Sequence, residues 1–276
     1  MQLISKMMTA YALGENTTWP FFTFPQYEAI VGRAVNDTHA FFIGFTPLVN
    51  NADRSAFEAY VINDQSWIQI GLNLTASPEN VTLQTPYISC PSGGDPYGRP
   101  QPCPTQDLYA PVRQVAPIGE YYPQLNLNAF SFDYFKRVFD GMVAAGEAIL
   151  SEVINLGEPI HSEADWPASF MAAPVRSILG ENGGDLVATL TAQIPWHSYF
   201  LKLIPAGIPG IIMVVKNTCN QVLTYEILGP DVDFLGVGDL HNPAFDKYQV
   251  TSDFTAFKSI AACRYSPAWF EKCQSH

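Results

Sequence analysis

The chain has 276 residues with a formal charge of −12, and Asp plus Glu outnumber Lys plus Arg by 26 to 14. That excess repels phosphate backbones and anionic lipid surfaces, which excludes nucleic acid as a natural partner. Hydrophobic residues make up 47% and charged residues only 14%, and no apolar run approaches the roughly 18 residues a membrane span needs, so the sequence reads as a folded, loop-rich chain without a span.

The opening MQLISKMMTAYALGENTT lacks an apolar core followed by a small-residue cleavage site, so it reads as a tail or helix remnant over residues 1–18 and not as a signal peptide. From Pro25 to Val35, the residues Tyr27, Ile30, Val31, Ala34 and Val35 recur at helical spacing, with Glu28 and Arg33 expected on the polar side. The aromatic and branched run from Ala40 to Val49 suits a strand. Asn50, Asn51 or Asp53 can then cap a helix carrying Phe57, Tyr60, Val61 and Trp67 on one face.

Gly, Pro and Asn dominate from Ser77 to Pro123, which predicts long loops around short strands, with Leu108 to Ile118 the best strand candidate. Asp133 is placed to cap a helix with an apolar stripe of Phe135, Val138, Phe139, Met142, Ala145 and Ile149. Strands are expected over 149–156, 169–175, 185–194, 210–217 and 223–228, and LGENGG at Leu179 to Gly184 suits a hairpin turn. Helix, strand, strand, hairpin and strand in that order make a PAS-like arrangement, an antiparallel sheet with helices on one side, and two such modules account for the length.

Two features point to the secretory route. Asn16, Asn36, Asn73 and Asn80 each open an N-glycosylation acceptor triplet, against about two expected by chance. Of the five cysteines, Cys90 and Cys103 bracket a Gly/Pro-rich loop that a disulfide would close. Neither C-x-x-C nor a His within five residues of a Cys occurs, so zinc is not expected, and no other metal or cofactor is indicated.

Catalytic patterns are equally scarce. There is no G-x-S-x-G elbow, no H-E-x-x-H and no phosphate-cradling glycine loop ending in Lys. Asp239 and His241, with Asp231, Asp233 and Asp246, can be drawn as a cation or acid/base cluster. The turn glycines Gly236 and Gly238 favour a structural turn capped by Asp239 instead.

A set of motifs carries a family resemblance: WPF at Trp19 to Phe21, QSWIQIGL at Gln65 to Leu72, IPWHSYF at Ile194 to Phe200, KNTCNQVLTYEILGP at Lys216 to Pro230, and FLGVGDLHNPAFD at Phe234 to Asp246. Together they resemble the extracytoplasmic sensor region of the large receptor-type nucleotide cyclases of diatoms and related algae. FTPLVNNADRSAFE, with Pro47, Val49, Arg54, Phe57 and Glu58, is similar to the entry segment of CHASE sensor domains.

The resemblance covers Trp19 to Val250. It implies an α+β, CHASE-like fold, an N-terminal helix followed by two PAS-like modules with antiparallel sheets flanked by helices. The organisation expected is a tail over 1–18, a sensor domain over 19–250 and a C-terminal tail over 251–276. The family implies an ectodomain on the extracellular face of the plasma membrane, a non-enzymatic module that binds a small ligand. In the intact receptor it would signal, as a homodimer, to a cytoplasmic cyclase that this chain lacks. Cysteine spacing and the resemblance together pair Cys219 with Cys263.

In a PAS-like module the ligand lies between sheet and helices. Trp67, Tyr121, Tyr122 and Phe170 stand at element ends beside polar groups, and Ser151 joins them as a candidate contact. Along Leu186 to Ile194, Thr189 and Thr191 alternate with apolar neighbours, so their face either orients a ligand or meets solvent. Two other readings compete with the sensor: a secreted hydrolase using Asp239 and His241, and a glycosylated adhesion module.

Overall fold

The computed structural model describes residues 1–75, 85–92, 99–154, 167–180, 183–207, 210–252 and 258–259. The protein is α+β with antiparallel sheets, and its chain divides into two compact units, Met1–Ile149 with Met171–Gln193, and Leu150–Phe170 with Ile194–His276.

The first unit opens with α1 (Gln2–Gly14), then a π-helical turn (Glu28–Gly32) that continues into α2 (Arg33–Thr38). There follow β1 (Phe42–Pro47), β2 (Val49–Asn50), α3 (Arg54–Asn63), α4 (Ser66–Leu74), β3 (Ser89–Pro91), β4 (Pro100–Pro102), β5 (Leu108–Tyr109), β6 (Gln114–Ala116), α5 (Ile118–Tyr121) and α6 (Asp133–Ala145). Three strands come next, β7 (Ile149–Ile154), β8 (Ala168–Arg176) and β9 (Leu186–Pro195), and the residues of each are shared between the two units. The second unit continues with α7 (Trp196–Phe200), β10 (Ile211–Lys216), β11 (Val222–Leu228), β12 (Asp231–Val237) and β13 (Lys258–Ser259).

In the first unit β8, β9, β1 and β6 are neighbours in that order, and Ile43 of β1 stands opposite Ala192 on one side and Ala116 on the other. Small alanines beside large partners let helices approach the sheet. Ile4, Met8 and Ala12 of α1 pack there with Phe22, Phe24, Tyr27, Val31, Phe45 and Leu190. The hydroxyls of Ser5 and Thr9 donate to the carbonyls of Pro174 and Arg176, fastening α1 to β8.

A second cluster of the same unit holds Val49, Phe57, Val61, Ile88 and Tyr109 beside the Cys90–Cys103 disulfide, whose Cα atoms are 4.9 Å apart. Arg54 ties this corner together. Its Nε donates to Glu58 Oε1 at 2.9 Å and its Nη1 to the Cys103 carbonyl at 2.9 Å, while the Ile88 N–H donates to the same Glu58 oxygen. Val49, Arg54, Phe57 and Glu58 therefore have a structural use beside the disulfide, while Pro47 ends β1 opposite Ala188.

The second unit is organised on the antiparallel sheet β10–β11–β12. Phe200, Leu223, Tyr225, Ile227 and Val232 form its core with Val153. Gln221 clamps the β7 backbone, accepting from the Val153 N–H at 2.7 Å and donating to the Val153 carbonyl at 2.9 Å.

Several local expectations meet a different outcome. Glu28 is buried at 7% exposure, at the start of the π-helical turn, where its Oε2 accepts from the Ile118 N–H at 3.0 Å. Asp133 is the first helical residue of α6 and not its cap; Phe132 holds the cap position and Asp133 accepts from Arg137 Nε at 3.1 Å. Gly146, at φ 72°, ends that helix in the left-handed region. The strand expected over 108–118 is two short strands, since Pro111 brings no N–H for a ladder and the Ala110 N–H goes instead to the Asn128 side chain at 2.9 Å. Trp67 lies on α4, not on the helix of Phe57, because the chain breaks at Asp64 and Gln65. FLGV of Phe234 to Val237, not foreseen as a strand, ends β12.

Candidate functional site

The first unit carries a cleft of about 370 Å³ walled by Tyr11, Phe21, Phe22, Tyr60, Trp67 and Ile70, with Glu15, Thr17, Thr23, Gln26, Asp64 and Ser66 among its polar residues. Three parts of the chain meet there. The end of α1 supplies Tyr11 and Glu15, the loop before the π-helical turn supplies Thr17 to Gln26, and the α3–α4 junction supplies the rest.

Alternation in the segment FFTF divides its side chains between the core and the Tyr60 side, with Phe22 also reaching the cleft. Phe22 and Phe24 enter the core, while Phe21 packs edge-on to Tyr60 at 5.9 Å and Thr23 reaches the Tyr60 hydroxyl at 2.7 Å. Gln114 of β6 holds this segment as a strand neighbour would, accepting from the Phe24 N–H at 2.8 Å and donating to the Phe24 carbonyl at 3.0 Å.

Behind the cleft lies Arg113, only 1% exposed. Its Nη2 donates to Thr23 Oγ1 at 2.7 Å, to the Asp64 carbonyl at 2.7 Å and to Asp64 Oδ2 at 3.1 Å. The same Oδ2 accepts from the hydroxyls of Thr23 and Tyr60. The guanidinium also stands over the Tyr60 and Trp67 rings, at 5.3 and 5.7 Å from their centroids, a cation–π arrangement. Burial pulls the Arg113 pKa below its ordinary value, opposed by Tyr60 and Asp64, and burial likewise raises the Tyr60 hydroxyl. Among the described residues, the buried N–H groups Arg113 Nε and Trp67 Nε1 find no hydrogen-bond partner.

Of Trp67, Tyr121, Ser151, Phe170, Thr189 and Thr191, only Trp67 lines this cleft. Tyr121 is buried at the end of α5 against Phe42, with ring centroids 5.1 Å apart. The Tyr122 side chain lies outside the described residues. Ser151 and Phe170 meet in the second unit, where the Phe170 N–H donates to Ser151 Oγ at 2.8 Å and that hydroxyl donates to the Glu152 carbonyl.

Thr189 and Thr191 are buried within the sheet and meet no solvent. Thr189 Oγ1 donates to the Ala173 carbonyl at 3.3 Å, and Thr191 stands opposite Gly44, where the missing side chain leaves it room. The Thr189 hydroxyl serves the sheet.

Asn16, Asn36 and Asn73 are exposed, as glycan acceptors must be, and Asn80 lies outside the described residues. Cys219 is disulfide-bonded, and its partner lies outside the described residues, as does Cys263.

The Asp239/His241 turn of the second unit is exposed. His241 Nδ1 pairs with Asp239 Oδ1, and Nε2 with Asp246 Oδ1 at 2.7 Å. Asp239, then Asp246, raise the imidazole pKa above its usual value, and the His241 contact lowers that of Asp239. With both ring nitrogens held by carboxylates the imidazole is a clasp, and neither nitrogen is left to take a proton from a substrate. Among the described residues no group of three or more His, Cys, Asp or Glu side chains is arranged to hold a metal ion, and no helix is long and apolar enough to cross a membrane.

Tyr11, Thr23, Asp64 and Arg113 were not singled out by the sequence reading, which placed Tyr60 only on the packed face of a helix. A signal for two of them was present: an Arg in the otherwise uncharged LYAPVRQVAPI, and the aromatic run around Thr23. No protein-family model matches the chain, and no curated protein matches it.

Proposed function

We propose that the chain is an extracytoplasmic sensor module that takes a small organic ligand in the first unit's cleft. The observation that carries this reading is the cleft itself, about 370 Å³ of aromatic-walled space with a few convergent polar groups, the usual make-up of a small-molecule site. A buried Arg fixes its floor, so the site is held in shape before a ligand arrives. The Cys90–Cys103 disulfide suits an oxidising compartment.

The motif resemblance extends the proposal. The module belongs in a CHASE-like, PAS-like ectodomain of a receptor nucleotide cyclase, a homodimer at the plasma membrane, where ligand binding biases a cytoplasmic cyclase outside this chain. It has no catalysis of its own in this reading, in keeping with a His241 that is clasped on both sides.

A thermal-shift screen of the chain against small metabolites tests the proposal. A ligand at a hundredfold excess over its Kd stabilises the fold by about 2.7 kcal/mol. Ile70→Arg, at an exposed wall position, is expected to abolish that shift while leaving the unliganded melting temperature unchanged. Stabilising ligands that act equally on wild type and Ile70→Arg would place binding elsewhere.

A further inference from the structure

We infer that the cleft selects a small monocation, an organic ammonium carried on an apolar or aromatic body. The inference rests on the cleft being the ligand site, and it names the ligand class.

The charges around the cleft make the argument. Glu15 and Asp64 line it, and no Lys, Arg or His does. Arg113, from behind, neutralises Asp64. Glu15 makes no ion pair among the described residues, so one negative charge remains uncompensated at the site. The hydrogen bonds to the Asp64 side chain converge on Oδ2, while that side chain stays 31% exposed. Its other oxygen is therefore placed to accept from a ligand.

The walls add to this selection. Tyr11 and Phe21 add aromatic rings able to attract an ammonium, while Tyr60 and Trp67, over which Arg113 already stands, add area that covers its apolar body. An anionic ligand meets the uncompensated Glu15 carboxylate, with no cationic side chain lining the cleft to offset it. The chain's overall charge of −12 raises the local concentration of cations further.

The test is isothermal titration of the whole chain at pH 7 and low salt with three probes of similar shape: phenethylammonium, 2-phenylethanol and 3-phenylpropanoate. Phenethylammonium is expected to bind at least tenfold more tightly than the alcohol, with the carboxylate weakest. Glu15→Gln, at an exposed position, is expected to bring the ammonium close to the alcohol without moving the melting temperature. Ile70→Arg is expected to abolish binding.

Equal affinity for ammonium and alcohol, or a preference for the carboxylate, overturns the inference and leaves the cleft a ligand site of another class. Absence of binding by all three at millimolar concentration also overturns it, and the metabolite screen then decides separately whether the cleft takes any ligand. Full ammonium binding by Ile70→Arg overturns both readings.

Discussion

Arg113 Nη2 meets Asp64 Oδ2 at 3.1 Å, and the Asp64 backbone carbonyl at 2.7 Å, so one buried guanidinium holds both the side chain and the main chain of the residue that separates α3 from α4. The break between the two helices is what turns Trp67 and Ile70 onto the cleft. A fold element and a binding surface thus depend on the same contact.

Replacing Arg113 by Met is expected to destabilise the protein by roughly 1.5 to 3 kcal/mol, the loss of charge-assisted hydrogen bonds to a partly exposed Asp64. Adding Asp64→Asn should recover part of that loss, because the stranded charge is removed. Urea denaturation of the two single variants and the double variant measures the coupling, and strict additivity would show that the pair does not act as a unit.

Glu28 accepts from the Ile118 N–H at 3.0 Å, and burial raises its pKa to about 7. Gly71 makes that burial possible, since a Cβ there would lie 2.9 Å from Ile118 and 3.3 Å from Glu28. The folded protein keeps the proton that the unfolded chain releases near pH 4.5, so stability falls as pH rises from about 4.5 to 7 and levels off above. The full loss is on the order of 3 kcal/mol. Glu28→Gln is expected to be more stable than wild type at pH 8 and to flatten the slope between pH 5 and 7 in denaturation curves.

Cys90 and Cys103, thirteen positions apart, close a loop whose opening frees the unfolded chain. The paired change of both cysteines to Ala is expected to cost about 3 kcal/mol in the loop-entropy account. Calorimetry of the variant against wild type measures it, and an unchanged melting temperature would mean that the loop is ordered without the bond. Peptide mapping of oxidised protein should recover Cys90 joined to Cys103, and in the same digest tests Cys219 joined to Cys263.

His241 is expected to titrate above its usual value of 6.5 by NMR, and Asp246→Asn should bring it back toward that value. The contacts favour the charged imidazole, so whatever they add to stability is present below pH 6.5 and fades as pH rises through the raised pKa. Asp239→Ala should leave metal content unchanged. Stoichiometric metal in the wild type, lost in that variant, would make the turn a metal site instead of a clasp.

Short-range physics made much of the architecture legible. Helical spacing placed α6 and its buried Phe135, Val138, Phe139 and Met142, the strands expected between 169 and 228 fell on β8 to β11, and the Gly/Pro-rich loop marked the Cys90–Cys103 bond. Each depends on neighbours within a turn of helix, a strand or a closed loop.

The cleft was a different matter. Thr23, the Tyr60/Asp64 pair and Arg113 are distant in the chain, and nothing in the residues around Arg113 says that its partner lies 49 positions earlier. Thr189 and Thr191 show the converse. Their alternation was real, but only packing decided that both faces of β9 are buried, with Thr189 against Met142 of α6 and Leu190 in the cluster that holds α1. The sequence by itself determined which segments could become helices and strands. The tertiary structure alone decided which polar groups met, because a buried charge is tolerated only where distant parts of the chain bring it a partner.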